Sequence, residues 1–167
     1  MSVAEHKAQS PASVPCFVLT VSDSRTLETE TSGRAIADLL AAAGHSVIDR
    51  QLAKDDPDEV RHIIRVQIDL GLARVIITTG GTGITRRDST YEALTGLFDK
   101  RLDGFGELFR MLSFEEIGSA AMLSRATAGV AGGAAVFLLP GSEAAVRLAM
   151  TRLILPELGH IARELTR

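Results

Sequence analysis

The chain has 167 residues, 46% of them hydrophobic and 23% charged, which predicts a globular domain and excludes a disordered chain. With 18 lysines and arginines against 21 acidic residues and a net charge of -3, it lacks the basic surface of a nucleic-acid-binding protein. Only 4% is aromatic, with one tyrosine and no tryptophan, which also argues against stacking of successive bases. No apolar run approaches the roughly 20 residues of a membrane-spanning helix.

Residues 1–15 are rich in alanine, serine and proline, and they predict a disordered leader without the apolar core of a secretory signal. A single domain is expected over residues 16–167. Its one cysteine, Cys16, allows no internal disulfide and lies in an apolar run, which predicts a buried side chain and a reducing, cytoplasmic environment.

The first half of the domain alternates short apolar runs with amphipathic helices. The predicted strands cover residues 16–21, 45–52 and 73–78. Thr31 or Ser32 can cap a first helix that ends at Gly44, and Asp56, followed by proline, starts a second helix that ends at Gly71. Strands that alternate with helices predict right-handed βαβ units and a largely parallel sheet.

The second half departs from this alternation. Helices are predicted over 89–97, 142–155 and 157–166, and strands over 127–130 and 134–139. Pro156 should separate or kink the last two helices, and Gly132-Gly133 predicts a hairpin with an antiparallel strand. Ser113 and Glu116 have the spacing of a capping box, which predicts the start of another short helix. We therefore predict an α/β protein, a three-layer α/β/α sandwich with a mostly parallel, mixed central sheet.

The glycine-rich loop after the third predicted strand is the strongest candidate for a binding site. Eleven of the 15 glycines fall between Gly80 and Gly141. The run Thr79–Gly83 lets the backbone approach an anion and turn its N–H groups toward it, which favours a phosphate. Its spacing is neither a dinucleotide-binding fingerprint nor a Walker A loop. A tight turn that needs positive φ angles is the alternative.

Two carboxylates lie in loops that follow different predicted strands. Asp55 lies beside the predicted cap Asp56, and Asp88 follows the glycine-rich loop. Mg²⁺ takes one or two carboxylates together with phosphate oxygens and water, so the pair is a candidate magnesium site if the two side chains meet above the sheet. For Asp88 the alternative is the cap of the next helix. The four histidines lack ligand spacing and are expected to be structural or at the surface.

The residues around this loop resemble the signature of the MoaB/MogA family of molybdenum cofactor biosynthesis proteins. The motifs that carry the resemblance, in the family's order, are Val18–Asp23, Ile77–Asp88, Gly104–Glu107, Met111–Gly118, Leu123–Ala126 and Leu139–Ser142. The stretch Phe109–Gly118 is most similar to the MoaB branch, and the resemblance covers about residues 16–166.

The resemblance implies a domain that assembles as a trimer or, often in the MoaB branch, as a hexamer. It implies binding of molybdopterin and, in active members, its adenylylation by ATP with Mg²⁺ and release of pyrophosphate. Asp55 and Asp88 match the family's two functional carboxylates and would act in catalysis and hold Mg²⁺. The substrate-binding residues implied by the motifs are Ser22, Asp23, Thr79, Gly80, Gly81, Thr82, Gly83, Arg87, Glu107, Ser124, Arg125, Pro140, Gly141 and Ser142.

One departure from the family pattern concerns charge. In many members a lysine closely follows the Pro-Gly turn, whereas Glu143 follows Ser142 here. Either Arg25, Arg86 or Arg87 supplies the missing positive charge, or nucleotide binding is weaker. The expected function is adenylylation of molybdopterin, and the alternative is a noncatalytic molybdopterin-binding or scaffold protein. The glycine spacing disfavours a third class, the nicotinamide-dependent oxidoreductases.

Overall fold

A six-stranded mixed sheet organises residues 2–167, the part of the chain that the computed structural model describes. The strands are β1 Pro15–Val21, β2 Ser46–Ala53, β3 Val75–Thr79, β4 Lys100–Arg101, β5 Thr127–Ala131 and β6 Ala134–Leu139. Their order across the sheet is β2-β1-β3-β6-β5-β4. Strands β2, β1, β3 and β6 run parallel, and β5 and β4 are each antiparallel to their neighbours.

Helices cover both faces of this sheet. They are α1 Val3–Ala8, α2 Ser32–Ala42, α3 Pro57–Leu70, α4 Thr90–Thr95, α5 Asp103–Ile117, α6 Glu143–Ala149 and α7 Leu155–Glu164. A 3-10 helix, Gly118–Leu123, follows α5. The predicted three-layer α/β/α sandwich with a mixed sheet is confirmed. Within the described chain, none of the helices has the length and apolar character that crossing a membrane requires.

The central strands bury apolar side chains on both faces. In β1, Cys16 and Val18 face the core under α2, α5, α6 and α7, whereas Phe17 and Leu19 face the core under α3 and α4. All four side chains are fully buried, as expected for strands inside a parallel sheet. Because β1, β2, β3 and β6 are parallel, their C-terminal ends share one edge of the sheet, and the loops that follow them lie there.

The predicted boundaries of the helix after β2 are confirmed. The Asp56 carboxylate accepts hydrogen bonds from the N–H groups of Asp58 and Glu59, at 2.9 and 3.0 Å. Gly71 ends the helix with a left-handed φ of 65°. The predicted hairpin is also present, and its two glycines, Gly132 and Gly133, both have positive φ. Local sequence chemistry therefore determines these turns.

The capping-box prediction at Ser113 is wrong, because α5 runs through this position without interruption. Phe105, Phe109 and Leu112 form one apolar stripe on α5. The stripe packs on the core that contains Cys16 and Val18, and Ser113 is buried next to it. Starting a new helix at Ser113 would break this stripe.

The C-terminal helices are joined by a π-helical turn, Met150–Ile154, and Pro156 lies in the first turn of α7. The helical path therefore does not end at Pro156. A π turn shifts the hydrogen-bond pattern by one residue, which accommodates a proline that has no N–H to donate.

The N-terminal segment expected to be a disordered leader contains α1. Nδ1 of His6 in this helix lies 3.0 Å from a carboxylate oxygen of Glu164 in α7, and Lys7 forms an ion pair with Glu157 of α7. His6 and Glu164 are 158 positions apart in the sequence, so no local pattern could have predicted the pairing. Met1 lies outside the described residues.

The buried position of Cys16 leads to a prediction about its reactivity. Burial raises the pKa of the Cys16 thiol to about 12, so almost no thiolate forms at neutral pH. We expect Ellman's reagent to leave the native protein unmodified and to titrate one thiol per chain in urea. Rapid reaction of one thiol in the native protein would contradict this position.

Candidate functional site

A cavity of about 740 Å³ opens at the edge of the sheet where the parallel strands end. Clefts at this edge are the usual ligand sites of open α/β sheets, and this volume is within the range of small-molecule sites. It is lined by every predicted site residue except Glu107 and Arg125, namely Ser22, Asp23, Asp55, Thr79, Gly80, Gly81, Thr82, Gly83, Arg87, Asp88, Ser124, Pro140, Gly141 and Ser142.

The glycine-rich loop turns sharply after β3. Gly80 and Gly81 have φ angles of 97° and 71°, in the left-handed region that favours glycine. A Cβ atom at Gly80 would lie 2.1 Å from the carbonyl oxygen of Val21, and one at Gly81 would lie 2.0 Å from Oγ1 of Thr90. The tight turn expected as the alternative is therefore present, and it forms part of the cavity wall.

This turn leaves consecutive backbone N–H groups free. The N–H of Gly80 donates to the carbonyl of Leu139 at 3.1 Å, so it is not available to a ligand. The N–H groups of Gly81, Thr82 and Gly83 have no acceptor within residues 2–167, and all three residues line the cavity. Successive N–H groups at a positive-φ turn form an anion-binding concavity.

Arg125 binds the carbonyl groups of this loop. Its guanidinium donates to the carbonyls of Thr82, at 3.1 Å, and Gly83, at 2.6 Å. It also pairs with Glu92 and lies over the ring of Tyr91, with Cζ 4.9 Å from the ring centroid. Arg125 is therefore a positioning residue that fixes the loop carbonyls, and it does not line the main cavity.

Asp55 and Asp88 flank the glycine-rich loop on two sides. Oδ1 of Asp55 accepts hydrogen bonds from the N–H and hydroxyl groups of Ser89, at 3.2 and 2.8 Å. Oδ2 of Asp88 accepts from the N–H and hydroxyl groups of Thr85, at 2.9 and 2.6 Å. The second oxygen of each carboxylate has no donor in the described chain. Asp88 therefore bonds to Thr85 within the loop and does not cap α4. That helix begins after Ser89 without a side-chain cap.

Asp23 links the loops after β1, β2 and β3. Its carboxylate accepts two hydrogen bonds from Arg87, at 3.0 and 2.9 Å, and one from the N–H of Asp55, at 3.1 Å. Hydrogen bonds from Arg87 lower the pKa of Asp23, and the same contact raises the pKa of Arg87. Arg87 is thus already paired. Of the other arginines considered as replacements for the missing lysine, Arg25 lines the cavity and Arg86 does not.

The turn after β6 is held by two predicted site residues, Thr79 and Ser142, and by Ser32 at the start of α2. The Thr79 hydroxyl donates to the carbonyl of Pro140 at 2.8 Å. Oγ of Ser142 accepts from the N–H of Ala145 at 3.2 Å and caps α6. Ser32 donates to the carbonyl of Gly141 at 2.7 Å. These polar groups shape the cavity wall.

Several lining residues were not predicted from the sequence: Thr20, Val21, Glu30, Thr31, Ser32, Leu123 and Glu143. Glu30 is the most unusual of these, because it is 2% exposed and pairs with Arg50 of β2. Its carboxylate also accepts from the N–H of Gly33, at 2.7 Å, at the start of α2. No local motif marks this contact, although a glutamate before a helix start is a weak signal.

Two groups of predicted residues lie elsewhere. Glu107 is exposed on α5 and lines neither this cavity nor the smaller cleft around Tyr91. The four histidines lack ligand spacing in the sequence, but two of them meet in the fold. The ring centroids of His6 and His160 are 5.6 Å apart, and both side chains are near Glu164. A nitrogen of Arg163 lies 2.8 Å from Nδ1 of His6. The positively charged guanidinium therefore lies where a metal ion would contact this histidine.

The steric fit at Gly81 can be tested by substitution. Gly44 also has positive φ but has nothing within 4 Å of an added Cβ, so Gly44→Ala measures backbone strain alone. We expect Gly44→Ala to cost about 1–2 kcal/mol of unfolding free energy. Gly81→Ala should cost about 1–3 kcal/mol more because of the contact with Thr90. Urea denaturation measures both, and equal costs would contradict the close approach.

Comparisons with known proteins show which family this chain belongs to. Residues 17–160 match the family described as "Probable molybdopterin binding domain". Molybdenum cofactor biosynthesis protein B of Halalkalibacterium halodurans is 51% identical over 166 residues, which cover 99% of this chain and 98% of that protein. A crystal structure of a molybdenum cofactor biosynthesis protein B is 51% identical, with a TM-score of 0.91 over 95% of this chain and 99% of that chain.

A more distant relative has the same fold. The tungsten cofactor synthesizing protein MoaB from Pyrococcus furiosus is 40% identical, with a TM-score of 0.83 over 95% of this chain and 100% of that chain. The matches extend along the whole domain and include every loop that forms the cavity. This chain therefore belongs to the MoaB/MogA family of molybdenum cofactor biosynthesis proteins.

Proposed function

We propose that this protein binds molybdopterin and adenylylates it with ATP and Mg²⁺, so that adenylylated molybdopterin forms and pyrophosphate leaves. Family membership supports the molybdopterin part of this proposal. The proposed location is the cytoplasm, because the one cysteine of the chain is unpaired and buried.

One observation carries the proposal: three free N–H groups lie beside two carboxylates that each have a free oxygen. The N–H groups belong to Gly81, Thr82 and Gly83, and the carboxylates to Asp55 and Asp88. Donors of this kind favour phosphate oxygens, and carboxylate oxygens favour a hard cation. The combination suits a substrate that brings phosphates and a divalent cation together.

The charge of the cavity supports a role for Mg²⁺. Its lining carries five carboxylates, on Asp23, Glu30, Asp55, Asp88 and Glu143, against the two arginines Arg25 and Arg87. Three of these carboxylates pair with arginines, Asp23 with Arg87, Glu30 with Arg50 and Glu143 with Arg147, which leaves Asp55 and Asp88 as the lining carboxylates without a basic partner. Asp55 and Asp88 have the oxygen chemistry that Mg²⁺ prefers, and when bound the ion would neutralise the phosphate charge.

In the proposed reaction, an oxygen of the terminal phosphate of molybdopterin attacks the α-phosphorus of ATP. A new P–O bond forms, the bond between the α-phosphorus and the oxygen that bridges to the β-phosphorus breaks, and pyrophosphate leaves with that electron pair. The chain's contribution is positioning and charge stabilisation, as in other phosphoryl-type transfers. The N–H groups of Gly81–Gly83 would hold a phosphate, while Arg125 keeps the loop in place.

The alternative is a noncatalytic molybdopterin-binding or scaffold protein. One observation favours it, because Glu143 stands where many family members place a lysine and Arg87 is paired with Asp23. Purified protein with molybdopterin, ATP and Mg²⁺ separates the two functions when pyrophosphate and adenylylated product are measured. Bound molybdopterin without product would support the scaffold and overturn the enzyme.

Substitution of Asp88 provides a sharper test of the enzyme. Asp88→Asn keeps the size of the side chain but removes the charge, so we expect turnover to fall at least about 100-fold. Thermal unfolding should change little, because the amide can still accept from Thr85. Chelation of Mg²⁺ by EDTA should abolish product in the unmodified protein.

The matched control is Asp69→Asn, which removes the same charge from an exposed position on α3. This variant should retain full turnover. Equal turnover of Asp88→Asn and the unmodified protein would show that Asp88 takes no part in the reaction.

We also propose that the protein is a homo-oligomer, a trimer or a hexamer. Large apolar side chains on α5 and the 3-10 helix are between 47% and 78% exposed, namely Leu108, Met111, Phe114, Ile117, Met122 and Leu123. Exposed apolar groups so close together mark an interface. Leu123 also lines the main cavity, so a second copy docked here would approach the site.

This interface makes a prediction about mass in solution. Light scattering should give three or six times the 17.8 kDa of one chain. Phe114→Lys buries a charge in the interface, so it should shift the mass toward one chain. Leu72→Lys changes an equally exposed side chain outside this surface and should have no effect. A monomeric unmodified protein, or an unchanged mass for Phe114→Lys, would contradict the proposal.

A further inference from the structure

A second cleft, of about 290 Å³, is lined by Arg125, whose guanidinium also binds the carbonyls of the glycine-rich loop. It is enclosed by α4, β4, α5 and the segment before β5, and it shares Ser124 with the main cavity. The side chains and the glycine that define it are Tyr91, Arg101, Asp103, Gly106, Arg110 and Arg125. The function proposed above uses only Arg125 of these residues, and only to hold the loop.

Arg110 forms the wall of this cleft and is held in place by the backbone. Its Nη1 donates to the carbonyls of Ser124 and Ala126, at 3.4 and 2.8 Å. Its Nε and Nη2 have no acceptor within residues 2–167. A Cβ atom at Gly106 would lie 2.6 Å from Nη2 of Arg110 and 2.8 Å from the carbonyl oxygen of Ala126. The glycine therefore leaves the space that this guanidinium occupies.

Tyr91 organises the other two arginines. Arg125 lies over its ring, with Cζ 4.9 Å from the centroid, and Cζ of Arg101 lies 6.0 Å from the same centroid. Arg101 also donates to the Tyr91 hydroxyl at 3.0 Å. Contacts with an aromatic face restrict guanidinium groups without neutralising them. The three arginines thus border one small space with preset orientations.

The cleft is positively charged, unlike the main cavity. Its lining holds three arginines and one carboxylate, Asp103, which pairs with Arg101. Arg125 also pairs with Glu92, which lies outside the lining. The three arginines, Asp103 and Glu92 together carry a net charge of one positive unit. The volume is at the lower end of known ligand sites, so it suits a small anion or one charged group of a larger ligand. Planar guanidinium groups favour oxyanions with several acceptor oxygens.

We propose that this cleft is an oxyanion-binding site that takes a phosphate-like dianion, with Arg110 and Arg101 as its main donors. The site does not depend on the adenylylation reaction. The oxyanion is either a free ion or the phosphate group of a ligand that also occupies the neighbouring cavity, since the two spaces meet at Ser124.

The single tyrosine makes the site directly observable. Tyr91 is the only tyrosine and the chain has no tryptophan, so intrinsic fluorescence excited in the tyrosine band reports on this cleft. We expect inorganic phosphate to change this fluorescence along a saturable one-site curve, and sodium chloride at equal ionic strength not to do so. Arg110→Gln and, separately, Arg101→Gln should each weaken the apparent Kd at least tenfold.

The matched control is Arg65→Gln, which removes one positive charge from an exposed position on α3 and should leave the Kd unchanged. Arg101 is half exposed and donates to no backbone carbonyl in the described chain, so its variant tests the site even if Arg110→Gln unfolds. A response that is unsaturable, equal to that of chloride, or unchanged in Arg101→Gln would overturn the proposal.

A second titration distinguishes the two sources of the oxyanion. Phosphate is titrated in the presence of saturating ATP and Mg²⁺. Competition means that the cleft takes a phosphate group of the larger ligand, and independent binding means that it takes the free ion. Both results are consistent with the proposed site, because this titration is done only after phosphate alone has given a saturable response. Failure of adenylylation with a saturable phosphate response would overturn the proposed function alone.

Discussion

The close approach of the Gly80–Gly81 backbone to its neighbours is the constraint on which the site depends. At Gly80 the chain passes the carbonyl of Val21 at the end of β1, and at Gly81 it passes the side chain of Thr90 at the start of α4. No side chain fits in either gap. The φ angles at both positions are positive, and the N–H groups of the next residues along the cavity wall have no acceptor in the described chain. Arg125 then fixes the loop by binding its carbonyls.

Charge is divided between two neighbouring spaces, and Arg125 marks the boundary. The main cavity has more carboxylates than arginines, whereas the smaller cleft is lined by three arginines around Tyr91. A ligand that carries both a bound cation and an anionic group could use both spaces. The Asp23–Arg87 pair joins the loops of the cavity, and the contact lowers the pKa of Asp23 and raises the pKa of Arg87. Charge pairing therefore helps to order the loops around the cavity.

The sequence predicted those parts of the fold that local chemistry determines. Asp56 caps α3 and Gly71 ends it, and the glycine-rich loop lies at the sheet edge where ligands bind. The parts that it did not predict depend on distant contacts. Glu30 reaches the cavity through its pair with Arg50, and the position of Arg125 behind the loop follows from carbonyls more than 40 residues earlier in the chain. Such contacts exist only after the sheet has formed.

Hydrogen exchange of the loop amides measures whether the glycine-rich loop binds a phosphate. The amide of Gly80 is bonded to Leu139 and should exchange slowly with or without ligand. The amides of Gly81, Thr82 and Gly83 have no acceptor in the described chain, so they should exchange quickly in the free protein and slow down when Mg²⁺ and ATP are added. Unchanged exchange at these three amides, with protection elsewhere in the chain, would contradict the account of this loop as the phosphate site.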